Sequence, residues 1–330
     1  MTVTVPNVYP ANLQALGWSP ETVYGTPAGA PTVWIPIDTP QYTPNIAPLT
    51  DQAGRGSMGV DSQQQQGLRA DSLTYSTYLY LDSAFLHCLA ALGTPDVISG
   101  SGDPYTHKTS LYSAAAGQPR SSTLWYTDGS GNAQRMPGAQ IVDLKFTIDV
   151  GGLVKLDVTW MSLPATAVTP PTNTPGTLQP MPAWSASVTV GGVSMGKYSN
   201  VTLDYKRNTE MVPAMNGTQT PAMIFAGPAQ GTGSLTGIYQ GSADNDFAGY
   251  LANTQPSLVV KMSPPGSATH GLTLQHSVVA YDSVVPSGTN KWMEVKSTLK
   301  LILNSTDAVT GSGGESFAQA ILTSAQSTAY

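Results

Sequence analysis

Cysteine, charge and long apolar runs are what this chain has least of. Its 330 residues hold one cysteine, Cys88, which excludes an internal disulfide, and no Cys/His cluster has zinc-site spacing. Charged residues are 10% of the chain, against about a quarter in ordinary globular proteins. Fourteen Lys and Arg face 20 Asp and Glu, a net charge of −6. That balance excludes a strongly basic face gripping nucleic acid, although not contact with DNA that slides past without sticking. No run of about 18 apolar residues is present, so no helix spans a membrane. Met1 to Pro10 lacks the basic start and apolar run of a secretory signal, and a soluble protein made in the cytoplasm is expected.

Signals of chemistry are equally sparse. The four histidines (His87, His107, His270, His276) are scattered, without an i, i+4 metal pair, and neither a GxSxG elbow nor an HExxH helix occurs. The loop Gly54–Gly59 lacks the Lys-Ser/Thr ending of a phosphate loop and precedes a strand. Asp143 and Asp157 could be read as a glycosidase couple, but they alternate with lysines on one strand face, the pattern of cross-strand charge pairing. Cys88 lies inside an apolar helix, as a structural thiol does. No catalytic residue, cofactor or metal is assigned, and no enzyme is expected.

What is present is β composition: Gly 33, Pro 26, abundant Ser and Thr, and 40% hydrophobic residues in short period-2 runs. The most organised stretch is Asp71–Gly93, a strand running into a helix. Asp82 is placed as its N-cap, Phe85 and Leu89 are among its apolar anchors, and Gly93 is its stop. The same features recur 162 residues later: Ser72-Leu73-Thr74, Asp82, Phe85 and Leu89 become Ser234-Leu235-Thr236, Asp244, Phe247 and Leu251. Six identities on one ungapped register indicate a tandem duplication.

The clearest hairpin joins residues 141–148 to 153–160. Val142, Leu144, Phe146 and Ile148 alternate with polar residues, as do Val154, Leu156, Val158 and Trp160, and Gly151-Gly152 forms the turn. Residues 164–183 hold six prolines and no charge, which reads as a linker. The expected organisation is an arm at 1–17, a first β domain at 18–163, the linker at 164–183, a second related domain at 184–304 and a second arm at 305–330. The fold class is mainly β, with two tandem sandwich or barrel domains, each flanked by a short α-helix.

Several short motifs resemble those of tail tube proteins of long-tailed bacteriophages. They are Trp18-Ser-Pro-Glu21-Thr-Val-Tyr24-Gly25-Thr26 with Trp34-Ile-Pro-Ile37, the Gly54-Arg55-Gly56-Ser57 loop, and the helix ending LAALG. Thr106-His107 with Gln118–Leu124, and Val201–Tyr205 through Gly233–Tyr239, belong to the same set. The resemblance covers roughly residues 18 to 305. It implies hairpins that join a continuous lumen-lining barrel in the assembled ring. It also implies a virion tail location, transient non-specific passage of double-stranded DNA, and a non-contractile (siphovirus) tail. Implied partners are further copies of the chain stacked as rings, a tape measure protein, a head-tail connector or terminator, and tail tip proteins. Single-domain relatives form hexameric rings, so a duplicated chain implies a trimeric, pseudo-hexameric ring.

On this reading, 40–60 and 208–221 are the loops that contact the next ring, with Asp51, Arg55 and Glu210 as candidate inter-ring charges. Two other readings stay open on the sequence: a receptor- or carbohydrate-binding virion β-sandwich, and a tail terminator that forms a single ring.

Overall fold

A computed structural model describes residues 8–56, 58–114, 118–267, 269–288 and 291–330, and the chain is mainly β. After a single turn at Ala11–Leu13, β1 (Ala15–Pro20) and β2 (Val33–Ile35) pair antiparallel. A long hairpin follows, β3 (Asp38–Asp51) with β4 (Gln63–Tyr78), and β4 runs into α1 (Leu81–Leu92). Next come β5 (Val97–Ser99), β6 (Tyr105–Ser110) and β7 (Ser122–Thr127), then the hairpin of β8 (Ala133–Asp149) and β9 (Lys155–Ser162), and β10 (Thr166–Val168). Beyond the proline-rich stretch lie β11 (Ala186–Val190), β12 (Val193–Ser194), a second long hairpin of β13 (Tyr198–Val212) and β14 (Met223–Ile238), and α2 (Asn245–Leu251). The chain finishes with β15 (Leu258–Met262), β16 (Gly271–His276), the hairpin of β17 (Val279–Gly288) and β18 (Met293–Leu301), and β19 (Gln319–Ser324).

Two sheets result. The larger forks on β8, whose first half pairs with β7 and β10 and whose second half pairs with β9 and β13. The smaller runs β12-β11-β15-β16-β19-β6-β5. Their inner faces share one apolar core, with Leu144, Phe146, Leu203 and Trp160 from the larger sheet and Val260, Leu274 and Leu322 from the smaller. Helix α1 lies within that core: Phe85 is fully buried and Leu86 and Leu92 nearly so. Gly93 ends α1 in the left-handed conformation (φ 93°), its N–H bonding Leu89 O at 2.8 Å, because a residue without Cβ reverses the chain there at no steric cost.

Several expectations are corrected. Tyr80, not Asp82, occupies the N-cap position of α1, and no side chain caps it; Asp82 sits in the first turn. Asp244 does cap α2, accepting from Asp246 N–H at 3.0 Å and Phe247 N–H at 3.4 Å. Leu251, expected as a buried anchor, is 70% exposed, and Phe247 is only partly covered, because α2 is short and packs mainly against β17. It is held instead by a buried network. Lys197 Nζ bonds both Asp244 oxygens (2.8 and 2.9 Å) and Asp246 (3.1 Å), and the Tyr198 and Tyr281 hydroxyls donate to Asp246.

In β8 the alternation shifts at a bulge between Ile141 and Asp143, so Ile141 is buried and Val142 is lifted out. Strand β9 begins at Lys155 rather than 153, because Leu153 and Val154 pair with Pro182 and Met181 instead. Residues 305–330 are not an arm: β19 is an interior strand between β16 and β6, with Ala320 and Leu322 buried. At the other terminus, residues 1–7 of the expected arm lie outside the described residues, and Ala15–Gly17 begin the buried strand β1. The stretch 164–183 does not separate two sheets, since β8 and β13 pair directly across it and Met181 is itself buried.

The asymmetry between the helices has a measurable consequence. Phe85→Ala is expected to cost about 3–5 kcal/mol by opening a core cavity, whereas Leu251→Ala is expected to stay within about 0.5 kcal/mol. Urea unfolding of the two variants checks this.

Candidate functional site

The site is built on a seam inside the chain. β8 and β13 pair antiparallel from Asn200↔Asp149 to Lys206↔Asp143, joining two four-stranded units into the run β3-β4-β9-β8-β13-β14-β18-β17. Each unit has one order: a long hairpin, then a second hairpin added to it through its last strand. One irregularity agrees too, since the register shift on β3 that ends at Gln41, opposite Thr74, recurs on β13 where it ends at Asn200, opposite Thr236. The duplication read from residues 72–89 and 234–251 is thus a repeat of architecture. Among the described strands of this run, β3 and β17 stand at the free edges.

One face of the run is apolar and packs on the core; the other is polar. It carries Asp143, Asp149, Asp157, Asp204, Asp282 and Glu294 against Lys145, Lys155, Lys206, Lys296 and Lys300, among Ser and Thr. These charges are largely paired: Lys155 with Asp157 (3.1 Å), Lys206 with Asp204 (3.1 Å) and Lys300 with Asp282 (2.8 Å). Hydroxyls bond one another across strands, Thr202 with Ser234 and Ser283 with Thr298, both at 2.7 Å. Burial pushes Asp143 up to about 7, with the neighbouring Asp204 carboxylate adding to the effect.

Both long hairpins overhang the run at the same end. Beyond the last β4–β9 pair, Asp71↔Ser162, the residues Gln63–Ala70 project by about 25 Å. The overhangs lean together: Arg69 N–H donates to Gln219 O at 2.9 Å, and the Tyr24 hydroxyl bonds the Ile224 backbone. At the first tip, Asp51 and Arg55 are ion-paired with each other, and the Ala53 N–H and Arg55 hold the Asp51 carboxyl below its ordinary value. Glu210 is exposed on β13 opposite Phe225 and belongs to the hairpin stem. Residues 40–51 and 208–212, expected as loops, are likewise paired strand. The structure places all three candidate charges on the overhanging hairpins, without bringing Glu210 to Asp51 or Arg55.

A residue with no assigned role in the sequence holds the fork. Glu21 is 3% exposed, and its carboxylate accepts from Gly25 N–H (2.9 Å), Ser121 Oγ (2.6 Å), Thr123 Oγ1 (2.8 Å) and Gly138 N–H (2.8 Å). Gly25 and Gly138 both have positive φ (69° and 61°), which favours glycine at each. Gly138 is the bend at which β8 changes partners. The Glu21–Gly25 spacing within residues 18–26 was the signal that could have found this clasp. Arg207 makes a second cross-link, donating to Ala91 O (2.6 Å) and Leu92 O (2.8 Å) at the C-terminus of α1, where unpaired carbonyls favour a cation.

Other titratable groups are absorbed into the packing. Burial pushes the Cys88 thiol up to about 12, so it is a poor nucleophile at neutral pH. His87 bonds Tyr75 OH (2.9 Å) and Ser83 O (3.0 Å), and His276 bonds Tyr205 OH (3.2 Å) and Phe317 O (2.9 Å). His107 is buried against Asp96 at 2.7 Å. Among the described residues no group of three or more His, Cys, Asp or Glu could hold a metal ion.

Compared with models of protein families, residues 11–315 match the family described as phage tail tube protein. No curated protein matches the chain.

The buried histidine yields a pH dependence. Burial lowers His87 to about 4 from 6.5, so the unfolded chain binds the extra proton between those values and stability falls as pH drops through 6.5. From pH 7 to 5 this one group should remove about 2 kcal/mol, and His87→Gln should flatten that part of the slope. Urea midpoints of both proteins at the two pH values check it.

Proposed function

The chain belongs to the phage tail tube protein family, a structural component of the virion tail, and from that premise we propose that it polymerises into stacked rings forming the hollow tube through which phage DNA is delivered. The observation that carries the ring is the β8–β13 seam. It shows how one unit's outer strand pairs with the next unit's first strand, and it leaves β17 and β3 free to repeat that junction between chains. Three chains then supply the six units of a pseudo-hexameric ring.

In that ring the polar face lines the lumen. Three of its five lysines are paired with adjacent carboxylates and its hydroxyls are partly bonded to each other, so little is left to hold a phosphate backbone, and binding to DNA rises with the number of phosphates neutralised. The overhanging hairpins reach the next ring. A contact between unlike ends cannot close on itself in two copies, so it propagates as a filament. The chain's work is assembly, without catalysis; a tape measure protein, a terminator and tail tip proteins are its proposed partners.

Negative-stain electron microscopy of concentrated protein is the direct test. Hollow tubes with a regular axial repeat and three chains per turn of the ring are expected; monomers alone, even after seeding with tail tips, would sink the proposal, and single rings would favour a terminator. At the first hairpin tip, Arg55→Glu breaks the pair with Asp51 and adds a carboxylate beside Asp51 and Asp61. The variant is expected to fold with stability changed by no more than about 0.5 kcal/mol and to need about tenfold more protein to form tubes. Light scattering and thermal melts separate the two effects.

A further inference from the structure

The seam inside the chain and the edges outside it differ in proline. Val150 N–H donates to Ser199 O at 3.0 Å, so even-numbered residues of β8 bond to β13. The pairs Leu144–Tyr205, Phe146–Leu203 and Ile148–Val201 therefore exchange both hydrogen bonds, and none includes proline. On β3 the Thr43 carbonyl accepts from Ser72 Oγ and the Asp51 carbonyl from Ser62 N–H, so odd-numbered residues face β4. Pro44 and Pro48 consequently turn their nitrogens to the free edge. On β18, Met293 O accepts from Tyr239 on the β14 side, while Ile302 N–H donates to Val278 on the β17 side. Odd-numbered residues of β18 thus face β14, and Pro286, the partner of Val295, turns its nitrogen outward as well.

The repeat fixes what these prolines would meet. Ser72 and Ser234 are equivalent, and their partners make Thr43 equivalent to Thr202 and Met161 to Thr298. Carried along the strands, Ile46 stands for Tyr205, Pro44 for Leu203, Pro286 for Leu144 and Gly288 for Phe146. An outer seam copied from the inner one sets Pro286 against Ile46 and Gly288 against Pro44. Each of these pairs keeps one bond and lacks the other for want of an N–H. The charge pairs of the inner seam vanish too: Asp204 and Lys145 are replaced by Asn45 and Ser287.

We propose that β3 and β17 are complementary edges for a second copy of this chain, blunted by Pro44 and Pro286 so that the free protein does not pair edge to edge, the outer seam closing only when ring stacking adds its contacts. This rests on the tube reading and supplies its regulation. Prolines and short polar residues on an edge are the means by which sheet proteins avoid uncontrolled pairing.

The test compares the full-length native chain with Pro44→Thr/Pro286→Val, which restores both missing donors at exposed or half-buried edge positions. Sedimentation velocity and light scattering are expected to show the double variant associating at about tenfold lower concentration than native, the effect of two regained hydrogen bonds. The single variants should fall between, and they keep the test informative if the double variant does not fold. Asn45→Cys/Ser287→Cys in each background is expected to form a disulfide between chains, Cys88 being buried. If native protein forms tubes and the proline variants associate at its threshold, the blunting is wrong and the tube reading stands. If native protein forms neither tubes nor the cross-link, the tube reading fails and this inference with it.

Discussion

The bend in β8 is the constraint on which the rest of the molecule depends. One strand serves two neighbourhoods, pairing with β7 and β10 up to Ala139 and with β9 and β13 from Gln140 onward. The Glu21 carboxylate holds that bend with four donors drawn from β7 and the residue before it, from the bend itself and from the turn at Gly25. A buried carboxylate is costly unless every lone pair is satisfied, and here the donors converge from segments far apart in sequence. The N-terminal motif is therefore a structural clasp: it sets the angle at which the second half of β8 leaves, and so where β13 attaches.

From that attachment follows the division of labour between the repeated units. The first buries its helix in the shared core and uses apolar packing, while Arg207 reaches across from the second unit to cover the helix end. The second holds its shorter helix on the surface with Lys197, Asp244 and Asp246. Burial alone would raise the Asp244 carboxyl, but the Lys197 ammonium together with the Gln240 and Phe247 N–H donors outweighs it and keeps the carboxyl below its ordinary value. Duplicated sequence has thus kept strand order while the means of attaching the helix diverged, a latitude that the shared core permits because only one helix has to fill it.

Legibility followed the range of the interactions involved. The β8–β9 hairpin was readable because alternation of Leu144, Phe146 and Ile148 with polar residues is local, and the bulge at Val142 was not, because it is a matter of pairing with β9. The cap at Asp244 was readable; the equivalent position at Asp82 was misplaced by two residues. The proline-bearing strand β3 looked like a loop. Proline is compatible with a strand when its nitrogen faces a free edge, and the order of strands, which nearby residues do not encode, decides whether an edge exists. Glu21 was legible only through its spacing to Gly25, since its other three donors are about a hundred residues away.

By itself the sequence determined the mainly β class, the repeat at 162 residues, the anchor Phe85, the stop at Gly93, the structural character of Cys88 and the family resemblance. All of these are properties of composition, spacing or short motifs, which act along the chain. Only the tertiary structure decided that the halves share one sheet through β8 and β13, that residues 319–324 are an interior strand, that Leu251 is exposed, and which strands stand at the edges. Those outcomes depend on which apolar faces meet and which backbone donors find acceptors across the fold. Pairing of that kind is settled by the whole chain collapsing at once.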